Sequence, residues 1–256
     1  MIPKIIHFCW FGGKPKPSLA NKCIKSWKKH CPEYEYKEWN ESTFDLDMFP
    51  YVREAYEARK FAFVTDVVRL YALYHEGGIY MDTDVELLKP LDDYLHHHAF
   101  SGFETNTQVP TGIMASEKGG KWAKENLEYY NNRHFLLPDG TPDTTTNVQI
   151  ITQYMLRYGL HLDNSYQDIE GFFTMYPTEY FCPKHPGTHI LTLTENTVCI
   201  HHFNMSWESP YVKRFCTLRS IMMRFLPYKT AIFCARKING AIARTQKLLT
   251  GKNPYK

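Results

Sequence analysis

The chain has 256 residues, of which 43% are hydrophobic and 15% aromatic, with a net charge of +3. That is enough apolar material for a sizeable core and too much for a disordered chain, and the length fits one α/β domain of ordinary size with a small appendage. No run reaches the 18 or more apolar residues of a membrane span, and the seven cysteines include no Cys-x-x-Cys, so reduced thiols are expected and a zinc site is not.

In chain order, residues 3–11 read as a buried strand that ends at Trp10 and is broken by Gly12-Gly13. The start lacks the basic and long apolar regions of a signal peptide, and a cytoplasmic protein is expected. Residues 18–30 are a helix candidate with Ser18 as N-cap, 34–39 alternate as a second strand, and 51–59 read as a further helix. Residues 60–75 contain no Gly or Pro, and Phe63, Val67, Leu70, Tyr71 and Tyr74 recur at helical spacing, which predicts an amphipathic helix ended by Gly77-Gly78. A short apolar strand, residues 79–81, then delivers Asp82 and Asp84 at its carboxyl end. This βαβαβ order is a common start for nucleotide-binding α/β domains, whose ligands sit at the carboxyl ends of strands. No glycine-rich phosphate loop is present, so a bound phosphate must be met by a metal or by side chains.

Two carboxylates at i and i+2 on one strand face repel unless solvent screens them or a cation lies between them, and a hard divalent ion such as Mn²⁺ or Mg²⁺ suits oxygen ligands. Asp66 and Arg69 share a helix face, either as an exposed ion pair or as ligands to a polar substrate. Farther on, Val85 to Leu91 reads as a strand and His96-His97-His98 as a solvated loop. Residues 99–104 and 113–116 read as strands, 120–132 and 147–158 as helices, and 160–190 as holding two more strand-like pieces. Residues 198–202 form a strand ending in His201 and His202, whose side chains alternation turns to opposite faces. From Tyr211 on there are eleven Lys/Arg and no Asp/Glu, in helical pieces broken near Pro227 and Gly240. Such a basic tail suits a solvated helix or an anionic membrane surface, and no nucleic-acid recognition motif accompanies it.

The block Asp66-x-x-Arg69 followed by Gly-Gly78-Ile-Tyr80-x-Asp82-Thr-Asp84 resembles the sugar-binding "DXD" region of glycosyltransferase family 32. That family includes initiating mannosyltransferases and capsule and lipopolysaccharide transferases, and the same block occurs in the glucosylating domain of large clostridial toxins. Ile2-Pro-Lys-Ile-Ile-His7-x-x-Trp10-x-Gly-Gly resembles the family's first strand, and His202-x-x-x-Ser206-Trp207 its closing motif. The resemblance is specific over residues 2–90 and 198–207 and loose between them.

The resemblance implies an α/β fold of the GT-A, Rossmann-like type over residues 1–210, with a basic helical extension over 211–256. It implies a metal-dependent, retaining transfer of a hexose from a nucleotide-sugar, a UDP-sugar or GDP-mannose, to a glycan or lipid-linked glycan such as capsule or lipopolysaccharide. Trp10 would lie beside the nucleotide, supported by His7. Asp66 would orient the sugar and Arg69 would meet the diphosphate. Gly78, Tyr80, Asp82, Asn147, Ser206 and Trp207 complete the donor set. The metal, Mn²⁺ or Mg²⁺, would be held by Asp82, Asp84 and His202, the histidine chosen because it keeps the motif's spacing. Catalysis would rest on Asp66, Arg69 and Asp84. The enzyme would work in the cytoplasm or at the inner face of the membrane. The rival reading is a catalytically inactive sugar- or nucleotide-binding module of the same fold.

Overall fold

A computed structural model describes residues 1–110, 112–169, 171–205 and 209–251. It divides the chain into two compact units, one of residues 1–183 with 192–202 and the other of 184–191 with 203–256, so the expected boundary at Tyr211 falls within the second unit. The first unit contains β1 (Ile5–Cys9), α1 (Ser18–His30), β2 (Glu35–Trp39), α2 (Pro50–Glu57), α3 (Phe61–His75), β3 (Gly78–Met81) and β4 (Val85–Leu87). It continues with β5 (Ala99–Gly102), β6 (Ile113–Ser116), α4 (Lys121–Glu128), α5 (Asn147–Leu156), β7 (Gln167–Ile169), β8 (Phe173–Tyr176), α6 (Thr178–Phe181) and β9 (Cys199–His201).

Seven strands form one sheet in the order β2-β1-β3-β6-β5-β8-β7. β1 runs parallel to both β2 and β3, and β6 is antiparallel to β3 and β5. Side chains alternate across this sheet. Tyr80 and Met114 enter the core that holds α3, while Ile79, Met81, Ile113 and Ala115 enter the opposite core with Trp27 of α1. β4 and β9 form a separate antiparallel pair, tied to α1 by hydrogen bonds from Trp27 Nε1 to the Val85 carbonyl (2.7 Å) and from the Leu87 amide to Ser26 Oγ (2.9 Å).

Four local expectations are corrected. α3 is not a surface amphipathic helix: Val64, Asp66, Val67, Val68, Leu70, Ala72 and Leu73 are buried, which takes in most of its circumference, because α2, α4 and the sheet all pack on it. Ser18 is the first residue of α1, not its cap, which is Pro17. His97 turns inward from the three-histidine loop, with hydrogen bonds to Tyr176 Oη (2.7 Å) and Thr174 Oγ1 (3.0 Å). In the second unit α7 (Pro210–Met222) stops before Pro227, but α8 (Tyr228–Thr250) runs straight through Gly240, whose cost of about 1 kcal/mol in a helix interior is small beside the packing of a 23-residue helix.

Gly78 shows why the Gly-Gly pair precedes β3. Its φ is +108°, and a Cβ there would lie 2.7 Å from the Ile5 carbonyl oxygen of the neighbouring strand. A side chain would therefore strain the backbone and push β1 from β3 at once. Gly78→Ala is expected to destabilise the fold by about 2 kcal/mol or more, read as a lowered midpoint in urea unfolding; an unchanged midpoint would contradict this packing.

Candidate active site

β3 stops at Met81, and Asp82-Thr83-Asp84 is a turn, not a continuation of the strand. Backbone hydrogen bonds clamp it: the Asp82 amide donates to the Gly112 carbonyl (2.8 Å), the Val85 amide to the Asp82 carbonyl (2.9 Å), and the His202 amide to the Asp84 carbonyl (3.0 Å). The two carboxylates thus converge through a turn and not through a shared strand face. β9 completes the group. In register His201 pairs with Val85, and its Nε2 lies 3.4 Å from Asp84 Oδ1 and 4.0 Å from Asp82 Oδ2. Gly112 makes room for that imidazole, since a Cβ there would sit 3.0 Å from His201 Nδ1.

One ligand atom from each of Asp82, Asp84 and His201 lies within 4.8 Å of the other two. Two carboxylate oxygens and one imidazole nitrogen are a donor set suited to Mn²⁺ and tolerable for Mg²⁺. Burial works against a charged His201, but Asp84, then Cys182 and Asp82, raise its pKa well above the usual range.

The structure thus brings His201, not His202, to the aspartate pair. Alternation does turn the two rings apart, as expected, but it is His202 that faces away: its Nε2 is 2.8 Å from Glu86 Oε2, and Glu86 also pairs with Lys22 at 2.8 Å. Spacing to Ser206-Trp207 pointed to the wrong member of the pair because it ignores which way β9 faces β4. Ser206 and Trp207 themselves lie outside the described residues.

On α3, Arg69 links the turn to Asp66. Its Nη2 lies 3.2 Å from Asp82 Oδ1 and 3.5 Å from Asp66 Oδ1, its Nε donates to the Thr65 carbonyl (3.1 Å), and its guanidinium stacks 4.5 Å from the Tyr80 ring centre. Tyr80 Oη donates to the same Asp82 oxygen at 2.9 Å. Asp82 therefore commits Oδ1 to Arg69 and Tyr80 and presents Oδ2 toward His201. The pair at 66 and 69 is no exposed ion pair: both side chains are close to nine-tenths buried. Asp66 also accepts from the Asn147 amide at the start of α5 (3.2 Å), while Asn147 Nδ2 donates to the Asp66 carbonyl (3.0 Å). Burial raises the Asp66 carboxyl to about 6, against the opposing pull of Arg69 and the Asn147 amide.

The remaining donor candidates divide. Trp10 follows β1 at the same sheet edge, because parallel pairing sets His7 beside Tyr80; its ring is half-buried and its indole N–H donates to the Lys14 carbonyl (2.5 Å). His7 is structural: Nδ1 accepts from Trp39 Nε1 (3.1 Å), so Nε2 carries the proton donated to the Gly77 carbonyl (2.7 Å), and burial lowers its pKa. Gly78 lies at the other end of β3 from Asp82, about 13 Å away along a strand, where it packs closely against Ile5 of β1. Sequence reasoning missed Glu104, just beyond β5. Burial raises its carboxyl, and His201, Asp82, Arg69 and Asp84 all act on its charge. An acid two residues past the end of a sheet strand was the available signal.

Residues 17–101 match the family described as "Glycosyltransferase sugar-binding region containing DXD motif". The matched stretch contains Asp66, Arg69, Tyr80, Asp82 and Asp84, and the fold around it is mixed α/β. Among curated relatives, inositol phosphoceramide mannosyltransferase 3 of Schizosaccharomyces pombe is 31% identical over 129 residues, covering 46% of this chain and 34% of that protein. Inositol phosphoceramide mannosyltransferase 2 of the same yeast is 28% identical over 175 residues, covering 64% and 49%. The chain thus spans half or less of the length of these relatives. Solved structures with a similar chain trace include the PaToxG glycosyltransferase (TM-score 0.44, 19% identity, 61% of this chain and 71% of that one) and the galactosyltransferase LgtC (TM-score 0.40, 12% identity, 79% and 88%).

The raised Asp66 carboxyl has a sign in stability. The native state holds this proton more tightly than the unfolded chain, so its contribution is fully present below the ordinary carboxyl range and is lost as pH rises through about 6. Asp66→Asn is expected to remove that loss. The difference in urea stability between variant and parent should grow in the variant's favour from pH 4 to pH 7, and a pH-independent difference would refute the assignment.

Proposed function

We propose that the chain is a metal-dependent, retaining glycosyltransferase that moves a hexose from a nucleotide-sugar to a hydroxyl of a glycan or lipid-linked glycan. The observation that carries this reading is the convergence of Asp82, Asp84 and His201 at the carboxyl end of β3, joined through Arg69 to Asp66, within the DXD region. A lectin-like module would have no use for a carboxylate pair buried against an arginine and a histidine, because weak sugar binding needs no charge neutralisation at a leaving group.

Asp82, Asp84 and His201 would hold the divalent cation, which when bound neutralises the charge that develops on the departing nucleoside diphosphate. Arg69 adds a fixed positive charge on the same side, already oriented by Tyr80 and Thr65, so little reorganisation accompanies bond breaking. Asp66, backed by Asn147, accepts from a sugar hydroxyl and fixes the hexose relative to the diphosphate. Trp10 offers a half-buried ring for a nucleobase at the adjoining end of β1. The bond from the anomeric carbon to the diphosphate oxygen breaks, the acceptor oxygen forms the new one on the same face, and the acceptor's proton passes to the leaving phosphate.

The half-buried ring of Trp10 supports a UDP-hexose, and the mannosyltransferase names of the relatives support GDP-mannose. Those relatives are named for a phosphoceramide acceptor, which supports an acceptor carried on a lipid, as in capsule or lipopolysaccharide assembly at the cytoplasmic face of a membrane. Among the described residues no helix is long and apolar enough to cross a membrane.

Donor hydrolysis across a panel of UDP- and GDP-sugars, with and without Mn²⁺, tests the reading. One metal-dependent donor is expected, and Asp84→Asn should lower its turnover by about 10²-fold or more. Hydrolysis that ignores both the metal and Asp84 would refute the proposal. Calorimetry with Mn²⁺ alone separates the histidines. His201→Ala is expected to weaken binding at least about tenfold, and His202→Ala to leave it near the parent value. Because the ion displaces a proton held on His201, affinity should fall as pH is lowered.

A further inference from the structure

The second unit is built inside out. α7 and α8 meet through small and polar residues, Cys216 and Ser220 on one helix and Ala231, Ala235, Asn239 and Ala243 on the other, at four-residue spacing. The Asn239 side chain locks the pair, accepting from Arg214 Nε (2.5 Å) and donating to the Tyr211 carbonyl (3.1 Å). The large apolar side chains lie outside. Phe225 is 81% exposed, Phe233 62%, Tyr228 61% and Ile221 50%, with Leu226 beside them in the link between the helices. These five gather at one end of the hairpin, since Ile221 is in the last turn of α7 and Tyr228 and Phe233 are in the first turns of α8, while Leu248 (87%) and Leu249 (79%) are exposed at the far end of α8.

The same end is cationic. Arg224, Lys229, Arg236 and Lys237 flank the apolar residues, Lys237 lies 5.5 Å from the Phe233 ring centre, and no Asp or Glu occurs from Ser209 to Gly251. A water-facing helix hairpin gains nothing from three exposed aromatic rings beside a leucine and an isoleucine. A second copy of the chain would bring the same positive charge against this one. A nucleic acid would satisfy the cations but leave Ile221 and Leu226 in water. An anionic bilayer surface satisfies both: its acyl boundary takes the apolar tip, aromatic rings settle at headgroup depth, and the phosphates meet the Lys and Arg ring.

We propose that the α7–α8 hairpin tip is a membrane-insertion device for anionic lipid, in which Phe225, Leu226, Tyr228 and Phe233 enter the interface and Arg224, Lys229, Arg236 and Lys237 hold it there. The proposal goes beyond the transferase reading and does not rest on it, because vesicle binding is read without donor or metal. Lys and Arg stems also lie along such a surface with their charged ends in the headgroups, so the two sets of residues act together.

The test is co-sedimentation of the full chain with vesicles of phosphatidylcholine alone and of phosphatidylcholine mixed with phosphatidylglycerol. Binding is expected to the anionic vesicles and to weaken as salt is raised. Replacing Phe225, Tyr228 and Phe233 together with Ser should weaken it by at least about tenfold. Replacing Lys229, Arg236 and Lys237 with Glu should weaken it by on the order of a hundredfold. All six positions are exposed, so the variants should keep the parent's circular dichroism and donor hydrolysis. As a gentler probe, Phe225→Trp should show blue-shifted emission quenched by brominated lipid only with anionic vesicles. Equal affinity for neutral and anionic vesicles, parent-like binding by the serine variant, or an unshifted emission from the Phe225→Trp variant would each overturn the proposal, as would salt-sensitive binding of RNA or DNA in preference to vesicles.

Discussion

A guanidinium buried between two carboxylates is the constraint on which the site depends. Arg69 sits in α3, inside the larger core, and a charge in that position must be compensated where it stands. Asp82 compensates it from the end of β3 and Asp66 from one turn earlier in its own helix, while Tyr80 covers its face. The ion pair therefore fixes the helix against the strand end at a definite register. The same contact commits one Asp82 oxygen, so the carboxylate presents its other oxygen toward Asp84 and His201. A lysine here could supply the charge but not the flat face against Tyr80 or the fork that reaches two acids and the Thr65 carbonyl.

The second constraint comes from the small β4–β9 pair. It stands apart from the main sheet, yet it brings a histidine from far downstream to a turn that the main sheet ends on. The seating is specific in several places. Gly112 leaves space for the imidazole, the His202 amide bonds to the Asp84 carbonyl, and Glu86 with Lys22 holds the next ring on the opposite face. Glu86 and His202 thus do for β9 what Arg69 does for α3, fixing an element by a partly buried polar contact so that its neighbour is aimed. The protonated His201 fits this picture. Asp84 and Asp82 raise the pKa of His201 although burial opposes it, so the imidazole and the Arg69 guanidinium both offset the two close carboxylates.

Much of this was legible in the residue pattern, for reasons that differ by element. Strands β1 and β3 and the acidic turn could be read because short apolar runs ended by glycine leave few other foldings. Asp66 and Arg69 could be placed on one helix face because helical spacing is rigid. The depth of α3 could not be read, since its period shows which residues face the nearest core and not that α2 and α4 close over the other side. The choice between His201 and His202 was likewise hidden: alternation separates them, but only the register of β9 against β4 says which ring meets the aspartates. Glu104 escaped because its nearness to the site is a property of the sheet order, in which β6 lies between β3 and β5.

The two units solve the burial problem in opposite ways. The first puts its aromatic residues inside, with Trp27, Trp122, Tyr80 and Tyr130 almost wholly buried, and can therefore tolerate charged groups at one well-compensated site. The second uses alanines and one buried asparagine for its seam and leaves its rings outside. Small residues bring helix axes close and bury little apolar area, so a hairpin built on them is held more by fit and by the Asn239 hydrogen bonds than by the hydrophobic effect. Such a unit keeps its apolar surface available for a second solvent. The first 210 residues carry more acidic than basic groups and the hairpin carries no acid, so the two parts of the chain have opposite electrostatic character.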